Sequence, residues 1–190
     1  MKIAALVVVL MLVLAGGYLF WLGAFAQVKV AEKQAGPYLI VFQKQIGDYK
    51  NVGAAMDDLF YDLQDNFGLA TTKGFGLYFD KPGETPTEEL RSIVGVIVAD
   101  KTAEELTKLP EKYGVTTFPE SNSVVAELPY KGQMSIMLGV FKAYPRISEY
   151  VAEKGYGTTP IMEIYDQPNQ ILTYIVPHRL PQEVFSELLE

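Results

Sequence analysis

The chain has 190 residues, with 16 Lys and Arg against 23 Asp and Glu, a formal charge of −7. The absence of cysteine excludes disulfides, thiolate metal sites and thiol nucleophiles. An acidic balance without any Lys/Arg cluster argues against a nucleic-acid partner, because phosphate binding needs a basic face, and it reads most simply as a solubility feature.

Residues 3–26 carry no charge. As a helix rising 1.5 Å per residue they would span roughly 36 Å, enough to cross a hydrocarbon core of about 30 Å. Residues 1–27 are therefore expected to be a single-pass membrane anchor, touching the lipid bilayer through residues 3–26. Tyr18, Phe20 and Trp21 would form an interfacial belt. Ala24-Phe25-Ala26 also has the small-x-small form of a signal-peptide cleavage site, which is the alternative reading. Lys2 on one side and Lys29 and Lys33 on the other do not choose the side of the membrane.

Residues 28–35 read as a polar connector, and residues 38–46 as a strand rich in β-branched and aromatic side chains. Val52, Met56, Leu59, Phe60, Leu63 and Phe67 then form one helical stripe that Gly68 stops. Strands are predicted over 74–80 and 93–99, with a capped helical turn begun by Thr85, Pro86 and Glu88 between them. Residues 100–114 predict at most a short helix. A strand follows over 124–130. Met137, Val140, Phe141, Tyr144, Ile147 and Val151 make a second helical stripe, which Pro145 should kink or split near Tyr144. Strands over 161–165 and 171–176 complete the set. Pro181 opens a final amphipathic turn or two. In it Phe185 and Leu188 have the aromatic-x-x-aliphatic spacing read by ubiquitin-like autophagy modifiers, and equally the spacing that packs a terminal helix onto a domain.

The order strand, helix, strand, strand thus occurs twice, in modules 36–100 and 122–178 of one soluble unit, 36–190. TKGFGLYFDKP at 72–82 aligns with TTPIMEIYDQP at 158–168 at an offset of 86 residues. This register places Asp80 on Asp166, Phe79 on Tyr165 and Leu77 on Glu163. One helix on three strands leaves sheet uncovered, so the halves should join edge to edge or about a pseudo-twofold axis, with a cleft between the two helices.

GDY at 47–49, GLYFDKPGETPTEELRSIVGVIV at 76–98 and MEIYDQP at 162–168 resemble the GyrI-like ligand-binding family, which includes effector-binding domains of AraC-type and multidrug-sensing regulators. The resemblance covers residues 36–178. AYPRI at 143–147, with an anchor directly before the domain, is similar to the family's membrane-anchored branch. The resemblance implies an α+β fold, with the duplicated modules forming one antiparallel sheet and the two main helices on one face. It also implies that an acidic residue at the position of Glu163 meets cationic ligands in an aromatic pocket. In this chain the anchor stands where the regulators carry a DNA-binding domain.

Glu163 and Tyr165 share a face by the period-2 pleat. Tyr49, Phe79, Phe141 and Tyr144 are the other candidate lining residues. One carboxylate among aromatic rings suits a cationic, partly apolar molecule or peptide, since ring faces attract cations and the charge fixes orientation. Glu163 could equally be one half of a structural pair or, on an open face, an ordinary exposed glutamate. The alternative functions are a hydrolase of reactive small molecules with Glu163 as general base, and an adaptor for an unknown protein partner with a vestigial pocket. The lone histidine, His178, reads as a surface loop residue. No Ser-His-Asp set, metal-ligand spacing or phosphate-binding glycine loop can be assembled, so no cofactor or metal is expected.

Overall fold

The computed structural model describes residues 2–190. The apolar helix α1, Lys2–Trp21, is long enough to cross a membrane and ends five residues short of the uncharged stretch, in a turn through Leu22. Eight strands follow: β1 Val30–Ala35, β2 Tyr38–Ile46, β3 Lys73–Tyr78, β4 Arg91–Val98, β5 Gly114–Phe118, β6 Ser121–Pro129, β7 Ile161–Asp166 and β8 Ile171–Pro177. Helix α2, Val52–Phe67, links β2 to β3, α3, Gln133–Glu153, links β6 to β7, and a short α4, Gln182–Glu187, closes the chain. Gly68 ends α2 at φ 64°, in the left-handed conformation where glycine has no Cβ penalty.

All strands pair antiparallel in one sheet of order β1-β6-β8-β7-β3-β4-β2-β5. The order is palindromic about the β3–β7 pair, so the two modules meet edge to edge there. The outer strands are exchanged: β1 pairs with β6 of the second module, and β5 with β2 of the first. Two residues separate β1 from β2, and two separate β5 from β6, although the linked strands lie near opposite ends of the order. Such short links reach only if the sheet curls until its ends approach one another. Ala35 of one edge strand and Phe118 of the other accordingly share one core cluster with Phe75, Leu77, Ile93 and Met162.

That cluster fills the inner face, where Phe185 and Leu188 of the C-terminal segment also lie, 3% and 6% exposed. Their spacing therefore serves packing. On the outer face Leu59 and Leu63 of α2 cover Val41, Val96 and Val98, while Ala143 and Ile147 of α3 cover Val124, Ala126 and Leu172. Each fully buried Leu or Ile contributes about 1.5–3 kcal/mol. With both faces covered, β4 is buried from Ser92 to Val98 and reads as a continuous apolar run.

Several expectations are corrected. Residues 30–35, read as connector, form β1, and 114–118 form β5; both are edge strands with mixed polar sequences. Pro145 does not split α3, which runs unbroken for 21 residues. Pro145 and Phe141 are exposed, so the helical donor that proline removes is lost on the solvent side of α3, where water is at hand to replace it. His178 is no surface residue: its side chain is 1% exposed and its ring stacks on Tyr156 at 3.9 Å. The 86-residue register also fails. It matches Leu77, on the inner face, with Glu163, on the outer one. The direct partner of Glu163 across β3–β7 is Gly76, 87 residues away, and the same spacing carries Tyr78 onto Tyr165.

Gly95 lies on the inner face at mid-strand, and a Cβ there would collide with the Val41 carbonyl oxygen. Gly95→Ala should lower stability by about 2–4 kcal/mol. Gly53→Ala, at an exposed helical position with nothing within 4 Å, should raise it by about 0.5–1 kcal/mol. Denaturant midpoints of the full chain in detergent micelles check both.

Candidate functional site

Glu163 stands in β7 between Gly76 of β3 and Tyr174 of β8, on the outer face beneath α3. It is 2% exposed. Tyr144, carried by α3, donates its hydroxyl to Oε1 at 2.8 Å, and Tyr165, two residues along β7, donates to Oε2 at 2.8 Å. The hydroxyl of Tyr78 lies 3.2 Å from that of Tyr165. Tyr174 sets its ring edge-on to Tyr144 at 5.8 Å, and its own buried hydroxyl has no hydrogen-bond partner among the described residues.

Glycine makes room for this cluster. A Cβ on Gly76 would stand 2.8 Å from the Tyr78 hydroxyl, and one on Gly139 of α3 would overlap the hydroxyl of Tyr174. Gly139 therefore lets α3 sit close to the sheet over Tyr174, and Gly76 leaves the space that the Tyr78 ring fills.

Among the described residues, no Lys, Arg or His pairs with Glu163. Burial pushes its carboxyl above the ordinary glutamate range, opposed by the hydroxyls of Tyr144 and Tyr165. Hydrogen bonds to a charged group contribute about 1.5–3 kcal/mol each. Burying a carboxylate costs several kcal/mol, so two neutral donors offset the cost only in part. Burial, with the Glu163 charge behind it, raises Tyr78, Tyr144, Tyr165 and Tyr174 well above the ordinary phenol range. At neutral pH the tyrosines stay protonated, and Tyr144 and Tyr165 serve as the donors to Glu163.

Of the predicted residues, Glu163, Tyr165 and Tyr144 come together. Tyr49 is one step removed. Its ring meets Tyr78 edge-on at 4.9 Å, while its hydroxyl lies 3.0 and 2.8 Å from the carbonyl oxygens of Asp80 and Arg91 and accepts the Asp80 N–H at 3.1 Å. Phe79 packs against the inner cluster, since the pleat turns it opposite to Tyr78. Phe141 is 74% exposed on the outside of α3. The structure adds Tyr78 and Tyr174, which an alignment shifted by one residue and a search of the neighbouring strand would have revealed. The repeated aspartates are structural. Asp80 accepts from both the backbone and the guanidinium of Arg91, and Asp166 pairs with Lys73 at 2.8 Å and accepts from Asn169. Among the described residues, no group of His, Asp and Glu stands in a metal-holding arrangement.

The fold is shared with solved structures at low identity. The C-terminal domain of EcmrR is 14% identical over 79% of this chain and 96% of that one, with a TM-score of 0.57. EcmrR in its DNA complex is 15% identical over 93% of this chain and 68% of that one, with a TM-score of 0.59. SAV2435 bound to tetraphenylphosphonium is 15% identical over 78% and 93%, with a TM-score of 0.50. Among curated proteins, the testis-expressed protein 264 homolog of Mus musculus is 32% identical over 101 residues, 50% of this chain and 33% of that protein. Testis-expressed protein 264 of Homo sapiens is 31% identical over 101 residues, 50% of this chain and 32% of that protein. The match thus spans about a third of the length of these relatives. Residues 29–179, nearly everything after α1, match the GyrI-like small molecule binding domain, and the chain belongs to that family.

Proposed function

We propose that this small-molecule-binding domain takes up a lipophilic cation at Glu163, and that α1 holds it at a membrane. The observation that carries the ligand class is the buried carboxylate without a countercharge. A bound cation supplies the missing charge, and the rings of Tyr78, Tyr144, Tyr165 and Tyr174 supply apolar area and cation-π attraction. Tyr144 rides on α3 rather than on the sheet, so a small shift of that helix withdraws one hydroxyl and frees Oε1. Tetraphenylphosphonium, the molecule bound to SAV2435, belongs to the same chemical class. A basic peptide side chain offers the same charge with less apolar surface.

The anchor reading is supported by contacts at the end of α1. Leu22 is 4% exposed, and the Lys142 ammonium donates to the carbonyl oxygens of Gly23 at 3.2 Å and Ala24 at 2.7 Å, and to that of Ala26. Cleavage after Ala26 would remove all three acceptors. The hydrolase reading is weaker. A general base needs a lone pair open to water, and both oxygens of Glu163 accept tyrosine hydroxyls in a 2% exposed position.

Two outcomes are expected. Isothermal titration of the full chain in nanodiscs with tetraphenylphosphonium should show an affinity that rises with pH as Glu163 ionises through its raised pKa, then levels off. Glu163→Gln should weaken binding about tenfold or more and remove the pH dependence. Equal binding by wild type and variant would refute the site, and no heat at any pH would turn attention to the adaptor reading.

The second outcome concerns stability. A carboxyl whose folded pKa lies above its unfolded value stabilises fully below the unfolded value, near 4.5, and loses that contribution as pH rises through the folded value. The melting temperature of Glu163→Gln, relative to wild type, should therefore climb from pH 4.5 to pH 8. A flat difference would mean that Glu163 titrates like an exposed glutamate.

A further inference from the structure

The outside of α3 is apolar although it faces away from the sheet. Met134, Met137 and Phe141 are 52%, 54% and 74% exposed, and with half-buried Leu138 and exposed Pro145 they follow one another at i, i+3, i+4, i+7 and i+11. Nothing in the core requires a stripe there, because α3 already meets the sheet through Gly139, Ala143 and Ile147.

The stripe lies where α1 ends. Lys142, adjacent to Phe141, holds the carbonyls of Gly23, Ala24 and Ala26. A Cβ on Gly23 would stand 3.1 Å from Pro129, just before α3, and the Lys131 ammonium is 5.9 Å from the centre of the Trp21 ring. The charge pattern agrees. Residues 128–148 contain Lys131, Lys142 and Arg146 and no acid, in a chain of net charge −7. An amphipathic helix with aromatic and Met side chains on one edge and bases beside them suits the interface of an anionic bilayer.

We propose that the outer face of α3 is a second membrane contact, lying in the interfacial layer of the same bilayer that α1 crosses. This rests on the reading of α1 as a retained anchor. The occupant is lipid, since the stripe sits at the level where the apolar helix leaves the hydrocarbon. The contact fixes the tilt of the domain. It also places the helix that carries Tyr144 against the layer in which lipophilic cations accumulate.

The natural chain has no cysteine, so single substitutions can each carry one fluorescent label. Met137→Cys, Phe141→Cys, Asp65→Cys on exposed α2 surface and Val13→Cys within α1 would be reconstituted as full chains in phosphatidylcholine–phosphatidylserine vesicles. The labels at 137 and 141 should shift to the blue and be quenched by lipids spin-labelled about 5–10 Å below the headgroups. The label at 65 should do neither, and the label at 13 should be quenched by lipids spin-labelled at the chain end. If 137 and 141 behave like 65 while 13 is quenched, the anchor stands and the second contact is false. If 13 is also unquenched, the anchor reading fails and the proposal falls with it.

Discussion

Glu163 is a carboxylate held out of water with hydroxyls for partners and no cation beside it, and the outer face of the sheet is arranged around that fact. A buried ion is tolerated when it is paired and hydrogen-bonded. Here the hydrogen bonds are present and the pair is missing. The surrounding tyrosines reinforce the imbalance: the negative charge raises their pKa values, so they remain neutral donors and do not relieve it. On the proposed reading, that imbalance and the ring surface around it are what would select a cation that is also apolar.

The fold produces this position through duplication. Two modules meeting at β3 and β7 place the middle of the sheet between two helices, with Met56 of α2 over Gly74 and Tyr144 of α3 on Glu163. Gly76 and Glu163 face each other across that central pair, so one module contributes the Tyr78 ring, seated over Gly76, and the other the carboxyl. The exchange of β1 and β5 between modules curls the sheet and gives it an inner core of its own. The outer face has its own two clusters, under α2 and under α3, and the Glu163 carboxyl lies beside the second of them.

Much of this was legible in the sequence. The stripe from Val52 to Phe67 with its Gly68 stop, and the β-branched and aromatic run over 38–46, matched α2 and β2 to their boundaries. The edge strands β1 and β5 were missed because VAEKQA and GVTTF bury little, and partners distant in the chain decide their pairing. Of the residues that come together around Glu163, the family resemblance and the pleat pointed to Glu163 and Tyr165, and the second helical stripe supplied Tyr144. Phe79 was misplaced by a register error of one residue, which turns a strand over. Phe141 was misplaced because its stripe mixes two faces of α3, one toward the sheet and one away from it. Tyr78 needed the internal alignment shifted by one residue, and Tyr174 the pairing of β7 with β8, which the sequence does not specify locally.

The central claim is that Glu163 is a buried carboxylate short of a positive charge, and direct titration of that carboxyl tests it best. With glutamate labelled by carbon-13 at the side-chain carboxyl, and Glu163→Gln used to assign the resonance, the pKa is measured with and without saturating tetraphenylphosphonium. The account predicts a value above the ordinary glutamate range that falls when the cation is added. A value at or below that range, or a raised value that the cation leaves unmoved, would contradict it.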